Sequence, residues 1–194
     1  MDEGTASQMS DSPTTSSVHR FWDLTQTPTM PDLDGGPRLG IRPKASLQDS
    51  IELLLAELGT APRQSVLILA TAFLFNDHHD AAHDLIEDLK CPEGCLIHAL
   101  LHRREPDYWN ARYWLRRNPN HPIYRHLTSY LKTQPMGAAE TIVFQRLTFS
   151  GVVDPIALVD ECETYARKPD QPESLFVKRV QHAEFQALAQ HLMA

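Results

Sequence analysis

The chain has 194 residues, 42% hydrophobic and 22% charged, with a formal net charge of −7. That size and composition suit one globular domain, with room for a tail. There is no apolar run of 18 residues to span a membrane, and the start has neither the pattern of a secretory signal nor that of an arginine-rich transit peptide.

Residues 1–45 are rich in Ser, Thr, Asp, Gly and Pro and hold no apolar periodicity, so a disordered tail is expected there. Within it, "VHRFWDLT" supplies Phe21, Trp22 and Leu24. These are either a docking motif, for a partner or for the protein's own body, or isolated aromatics in a floppy segment.

From Ser46 to the end, a single all-helical domain is expected. In "SLQDSIELLLAELG", Ile51, Leu54, Leu55 and Leu58 share one helix face, with Ser46 as N-cap and Gly59 as the stop. Pro62 opens the next helix, which runs through the apolar stretch to Phe75. Asn76 or Asp77 is expected to cap "NDHHDAAHDLIEDLK", whose early acids suit a helix N-terminus. After the "CPEG" turn, helices are expected over 95–104, 107–117 and 122–132, the second capped by Asp107. "FSGVVDP" reads as a break, Asp154-Pro155 as a helix start, and "PESLFVKRVQHAEFQALAQHLMA" as the final helix. Alternating Val-rich strands are scarce. The fold class is therefore all-α, an irregular array of antiparallel helical hairpins.

Ala70 and Ala82 are 12 apart, as are Ala99 and Ala111. Small residues at that spacing let paired helices approach closely. Over about 62–122 the pattern resembles tetratricopeptide-repeat hairpins, with Val66, Leu69, Phe73, Ile86 and Leu89 at the large apolar positions. His98, His102 and Asn118 depart from it. "HALLHRREPDYWNARYWLRRNPNHP" also resembles the core of an uncharacterised all-helical family, in which a His-Arg-Arg-Glu turn leads into an aromatic Asn-x-x-Tyr-Trp helix. That resemblance implies a shared fold and carries no mechanism.

Leu100 to Pro122 concentrates five arginines, two tryptophans, two tyrosines and two histidines in 23 residues. Between Leu96 and Lys132, seven cations face only Glu105 and Asp107. Guanidinium beside indole suits a carboxylate or phosphate and a planar group. The leading expectation is an intracellular binding or scaffold module, cytoplasmic or nuclear. Arg103, Trp109, Asn110, Arg112, Tyr113 and Arg116 would line a groove for an anionic small molecule or an acidic peptide. The short basic stretch argues against nucleic acid. The competing expectation is that these arginines pair internally, Arg103 and Arg104 with Asp80 and Asp84.

The alternative function is a small metal-dependent enzyme. Seven of the ten histidines lie between His78 and His126. His79/His83 and His98/His102 are i, i+4 pairs on helix faces. His83, Glu87, His98 and His102 could converge between two helices and hold zinc or iron. His102, Glu105 and His121 are weak general acid–base candidates. Cys91, Cys95 and Cys162 read as reduced thiols, with no signature of thiol catalysis.

Overall fold

The computed structural model describes residues 13–194, with side chains from residue 16 onward, and the regular elements among them are all helices. In chain order they are α1 (Pro13–Thr25), α2 (Lys44–Glu57), α3 (Pro62–Phe75), α4 (His79–Ile86), α5 (Pro92–Arg104), α6 (Tyr108–Arg116), α7 (Ile123–Lys132), α8 (Ala138–Leu147), α9 (Pro155–Tyr165) and α10 (Pro172–Met193). No helix here is long and apolar enough to cross a membrane.

All ten helices contribute to one core. Phe21, Ile51, Phe73, Ile86, Ile97, Leu115, Leu127, Val143, Leu158 and Phe185 belong to a single buried cluster. Burying each such side chain contributes roughly 1.5–3 kcal/mol. The longest helix, α10, packs on α1, α3, α7, α8 and α9. Its buried positions run round the helix rather than along one stripe, as expected of a helix enclosed by others.

Local chemistry explains most of the boundaries. Pro62, Pro92, Pro155 and Pro172 sit in the first turns of their helices, where a missing N–H costs nothing. The Asp107 carboxylate caps α6 by accepting from the Asn110 N–H at 3.2 Å, and Asp154 caps α9 through the Ile156 N–H at 2.8 Å. Gly59 ends α2 with a φ of 63°, a value that favours glycine. Ser46 is not the N-cap of α2. That helix begins at Lys44, and the Ser46 hydroxyl donates to the Pro43 carbonyl. The helix α8 was not anticipated, because only Val143 and Leu147 among its residues are buried.

Helices α3 and α4 pack on each other, as do α5 and α6, and the four alanines at 12-residue spacing are all buried. Neither Asn76 nor Asp77 caps α4, as the sequence had suggested. Both turn towards the segment between α1 and α2. The Asn76 amide donates to the Thr25 carbonyl at 3.0 Å, and its oxygen accepts from the Arg42 N–H. The Asp77 carboxylate accepts from the Arg38 backbone N–H and side chain at 2.8 and 2.9 Å.

The expectation of disorder through residue 45 is therefore corrected for the described part, while residues 1–12 lie outside the described residues. Helix α1 buries Val18 and Phe21 and sets Trp22 edge-on against Phe75, with ring centroids 5.1 Å apart. The extended stretch after it buries Leu33. Side chains of the body bond its backbone, with Gln181 donating to the Asp32 carbonyl at 2.9 Å and Arg104 to the Asp34 carbonyl at 3.0 Å. A low average hydropathy hid this, because the strap needs only a few apolar anchors when its polar groups find partners elsewhere. The anchor is testable. Phe21→Ala should lower unfolding stability by about 3–5 kcal/mol, read from the urea midpoint, as for a core aromatic. A loss below about 0.5 kcal/mol would show that the segment is not part of the cooperative unit.

Candidate functional site

The α5–α6 corner carries the residues singled out from the sequence, and the structure divides them between interior and surface. Arg103 is 1% exposed and does not line a groove. Its guanidinium lies 2.5 Å from Glu184 on α10, and the same carboxylate accepts from the Tyr124 hydroxyl at 2.9 Å. Burial lowers the pKa of Arg103, but the Glu184 charge more than offsets this and keeps the side chain cationic. Arg104, also buried, reaches Asp77 at 2.7 Å. Burial pushes the Asp77 carboxyl up, but hydrogen bonds from Arg38 and Arg104 overcome it and hold the group below the usual range. Internal pairing of these arginines is thus correct in kind, but the partners are Glu184 and Asp77 rather than Asp80 and Asp84. Arg112 is also engaged, spanning Asp160 at 2.6 Å and Glu163 at 2.5 Å on α9.

What remains on the surface is a strip along α6. Trp109 is 73% exposed and Tyr113 is 42% exposed. Their rings lie nearly parallel, 11° apart, with centroids separated by 6.1 Å. Tyr113 meets Trp114 edge-on, and Trp114 stacks flat on buried His98 at 4.1 Å. Lys90 lies 5.0 Å from the Trp114 ring centroid, and Arg117 lies 5.6 Å from both the Trp114 and the Tyr113 rings. Among the described residues, Lys90, Arg116 and Arg117 form no ion pair with a carboxylate. Lys90 and Arg117 were not among the expected ligand residues. Lys90 sits on the turn before α5, and only the folded chain brings it over Trp114. Asn110 is not free for a ligand, since its amide nitrogen lies 3.2 Å from His102 Nε2.

The expected metal quartet is only partly assembled. The rings of His83, His98 and His102 do gather, with centroids 5.5, 5.8 and 6.2 Å apart. Yet their ligand atoms do not all lie within 4.8 Å of one another, and Glu87 is exposed. The His102 lone pair also has another use. The Gly94 carbonyl accepts from His98 Nδ1, and Glu105 accepts from His102 Nδ1 at 3.1 Å, leaving His102 Nε2 to accept from Asn110. The quartet is corrected to a hydrogen-bonded histidine group beneath Trp114. His121 stands in a different cluster from His102 and Glu105, so the three acid–base candidates form no common site.

No family model, curated protein or solved structure matches this chain.

The different cluster is formed by Glu93 in the first turn of α5, His121 in the turn before α7, and His191 in the last turn of α10. One carboxylate oxygen of Glu93 lies 3.4 Å from His191 Nε2 and 4.0 Å from His121 Nε2. His121 is 2% exposed, and its Nε2 has no hydrogen-bond partner. Leaving such a buried group unpaired costs on the order of 1–3 kcal/mol. Spacings of 28 and 70 residues gave no linear signal for this meeting.

The buried imidazole beneath Trp114 sets a pH dependence. Burial, reinforced by His83, His102 and Lys90 nearby, lowers the His98 pKa from 6.5 to about 4 despite the Gly94 hydrogen bond. Between those values the unfolded chain takes up a proton that the folded chain refuses. The stability due to His98 is therefore complete above pH 6.5 and falls as pH drops towards 4, at about 1.4 kcal/mol per unit. An imidazole NMR titration should find His98 neutral at pH 5. A midpoint near 6.5 would contradict its burial under Trp114.

Proposed function

We propose that this chain is an intracellular helical interaction module whose α6 strip binds an acidic peptide segment of a partner protein. The single observation that carries the reading is Trp109, left largely in water and stacked parallel to Tyr113, whose other neighbour Arg117 has no carboxylate partner among the described residues. A large indole held in solvent forgoes roughly 3–4 kcal/mol of burial. The cost is recovered only if something covers the ring.

The shape of the strip favours a peptide over a small molecule. Small-ligand sites bury most of the ligand in a concavity, whereas Trp109 protrudes. Aromatic anchors with arginine nearby are the residue types that dominate protein–protein hot spots. Lys90, Arg116 and Arg117 set the sign of the partner, and they do so in a chain of net charge −7 that repels acidic segments elsewhere. The unpaired cysteines fit a reducing compartment. The resemblance of α3–α4 and α5–α6 to tetratricopeptide hairpins fits a module of this kind. In the same reading, the His-Arg-Arg-Glu turn of the uncharacterised family is a structural device rather than a ligand contact.

A fluorescein-labelled peptide rich in Asp and Glu with one central Leu is the probe. Wild type should bind it with an affinity that falls as salt is raised. Trp109→Ala should cost about 2 kcal/mol or more, near 30-fold in Kd, and Arg116→Gln with Arg117→Gln should remove most of the salt dependence. Stability should move by no more than about 0.5 kcal/mol. Failure of wild type to bind the peptide, or equal binding by the variants, would overturn the reading.

A further inference from the structure

The Glu93–His121–His191 cluster does not depend on the α6 strip. Three segments far apart in sequence meet there. The site is held in place from both sides, since the Asn118 amide donates to the Pro92 carbonyl at 3.4 Å and the Gln64 amide donates to the Leu192 carbonyl at the end of α10. The three ligand atoms all lie within 4.8 Å of one another. A tetrahedral ion with bonds of about 2.0–2.1 Å needs its ligand atoms about 3.3 Å apart. The Glu93 distances of 3.4 and 4.0 Å therefore require closure by less than about an ångström, and the His121–His191 separation, within 4.8 Å, by no more than about 1.5 Å.

The second observation is the orphaned His121 nitrogen. Its Nε2 is buried, has no partner, and faces the Glu93 oxygen. We propose that Glu93, His121 and His191 form a site for a divalent transition metal, zinc above all, with a solvent molecule as fourth ligand. Two imidazoles and a carboxylate are the donor set that zinc accepts, whereas calcium and magnesium require oxygen ligands. Solvent reaches the ion from the side of Glu93 and His191, whose side chains are 27% and 30% exposed. Coordination through His121 Nε2 places that ring's remaining proton on Nδ1. It gives up the Ile123 N–H contact to Nδ1, which at 3.4 Å is at the outer limit of a hydrogen bond. Three protein ligands with an open fourth position match sites where metal-bound water is available for chemistry.

The test uses the full chain, stripped with chelator and titrated with cobalt(II) and then zinc(II). Wild type should bind one ion per chain, show the visible bands of four-coordinate cobalt, and melt at a higher temperature when zinc is added. His191→Ala and Glu93→Gln, both at partly exposed positions, should keep the fold by circular dichroism. Each should weaken zinc binding by more than the roughly 10–100-fold that loss of an outer-shell partner costs. His83→Ala should bind as wild type does. Absence of stoichiometric binding would overturn the proposal, as would wild-type affinity in either ligand variant. Loss of binding in His83→Ala alone would move the metal to the histidine group beneath Trp114 and overturn it equally. Peptide binding by the α6 strip is read in a separate assay, so failure of one claim leaves the other standing.

Discussion

Two adjacent arginines with no access to solvent govern this structure. Arg103 and Arg104 end α5 and point different ways, one to Glu184 on α10 and the other to Asp77 at the α3–α4 turn. A buried cation is tolerated only with a partner and good hydrogen bonds. These two pairs therefore fix where α5 ends relative to α10, α3 and α7. Asp77 also takes Arg38, which ties the N-terminal strap to the same point. Tyr124 joins α7 to it through Glu184.

This arrangement explains why the richest stretch of the sequence is not a single binding groove. Its arginines have separate tasks. Arg103 and Arg104 are internal, Arg112 braces α6 against α9, and Arg116 and Arg117 remain at the surface with the exposed aromatic rings. Position on the helix decides the task. Ala111 and Leu115 face the core, so Trp109, Tyr113 and Arg116 must lie elsewhere on the helix. The histidine group beneath Trp114 supports the strip from below, and hydrogen bonds to Glu105 and Asn110 engage both ring nitrogens of His102.

Much of the helical plan was legible because its signals are local. Proline in first turns, aspartate caps at Asp107 and Asp154, and apolar faces four residues apart each act within one or two helical turns. The charge partners were not legible, since Asp77 and Glu184 lie 27 and 81 residues from the arginines they meet. Asp77 carried a plausible local role as a cap, and tertiary demand overrode it. Disorder was expected of the strap from its composition, which averages over a segment. Phe21 and Leu33 are single anchors that an average conceals. The meeting of His83, His98 and His102 was visible from i, i+4 spacing across a turn, whereas that of Glu93, His121 and His191 required the whole fold.

The central claim is that the arginines of the α5 end are buried structural charges, and a double-mutant cycle on Arg103 and Glu184 tests it most directly. Arg103→Met and Glu184→Leu, each followed by urea unfolding, should destabilise by about 3–5 kcal/mol because each strands a buried partner. Replacing both together should cost less than the sum of the two single losses by roughly 1–3 kcal/mol, the coupling energy of the pair. Single variants within about 0.5 kcal/mol of wild type, with additive effects, would mean that this pair is a surface ornament and that something else holds α5 to α10.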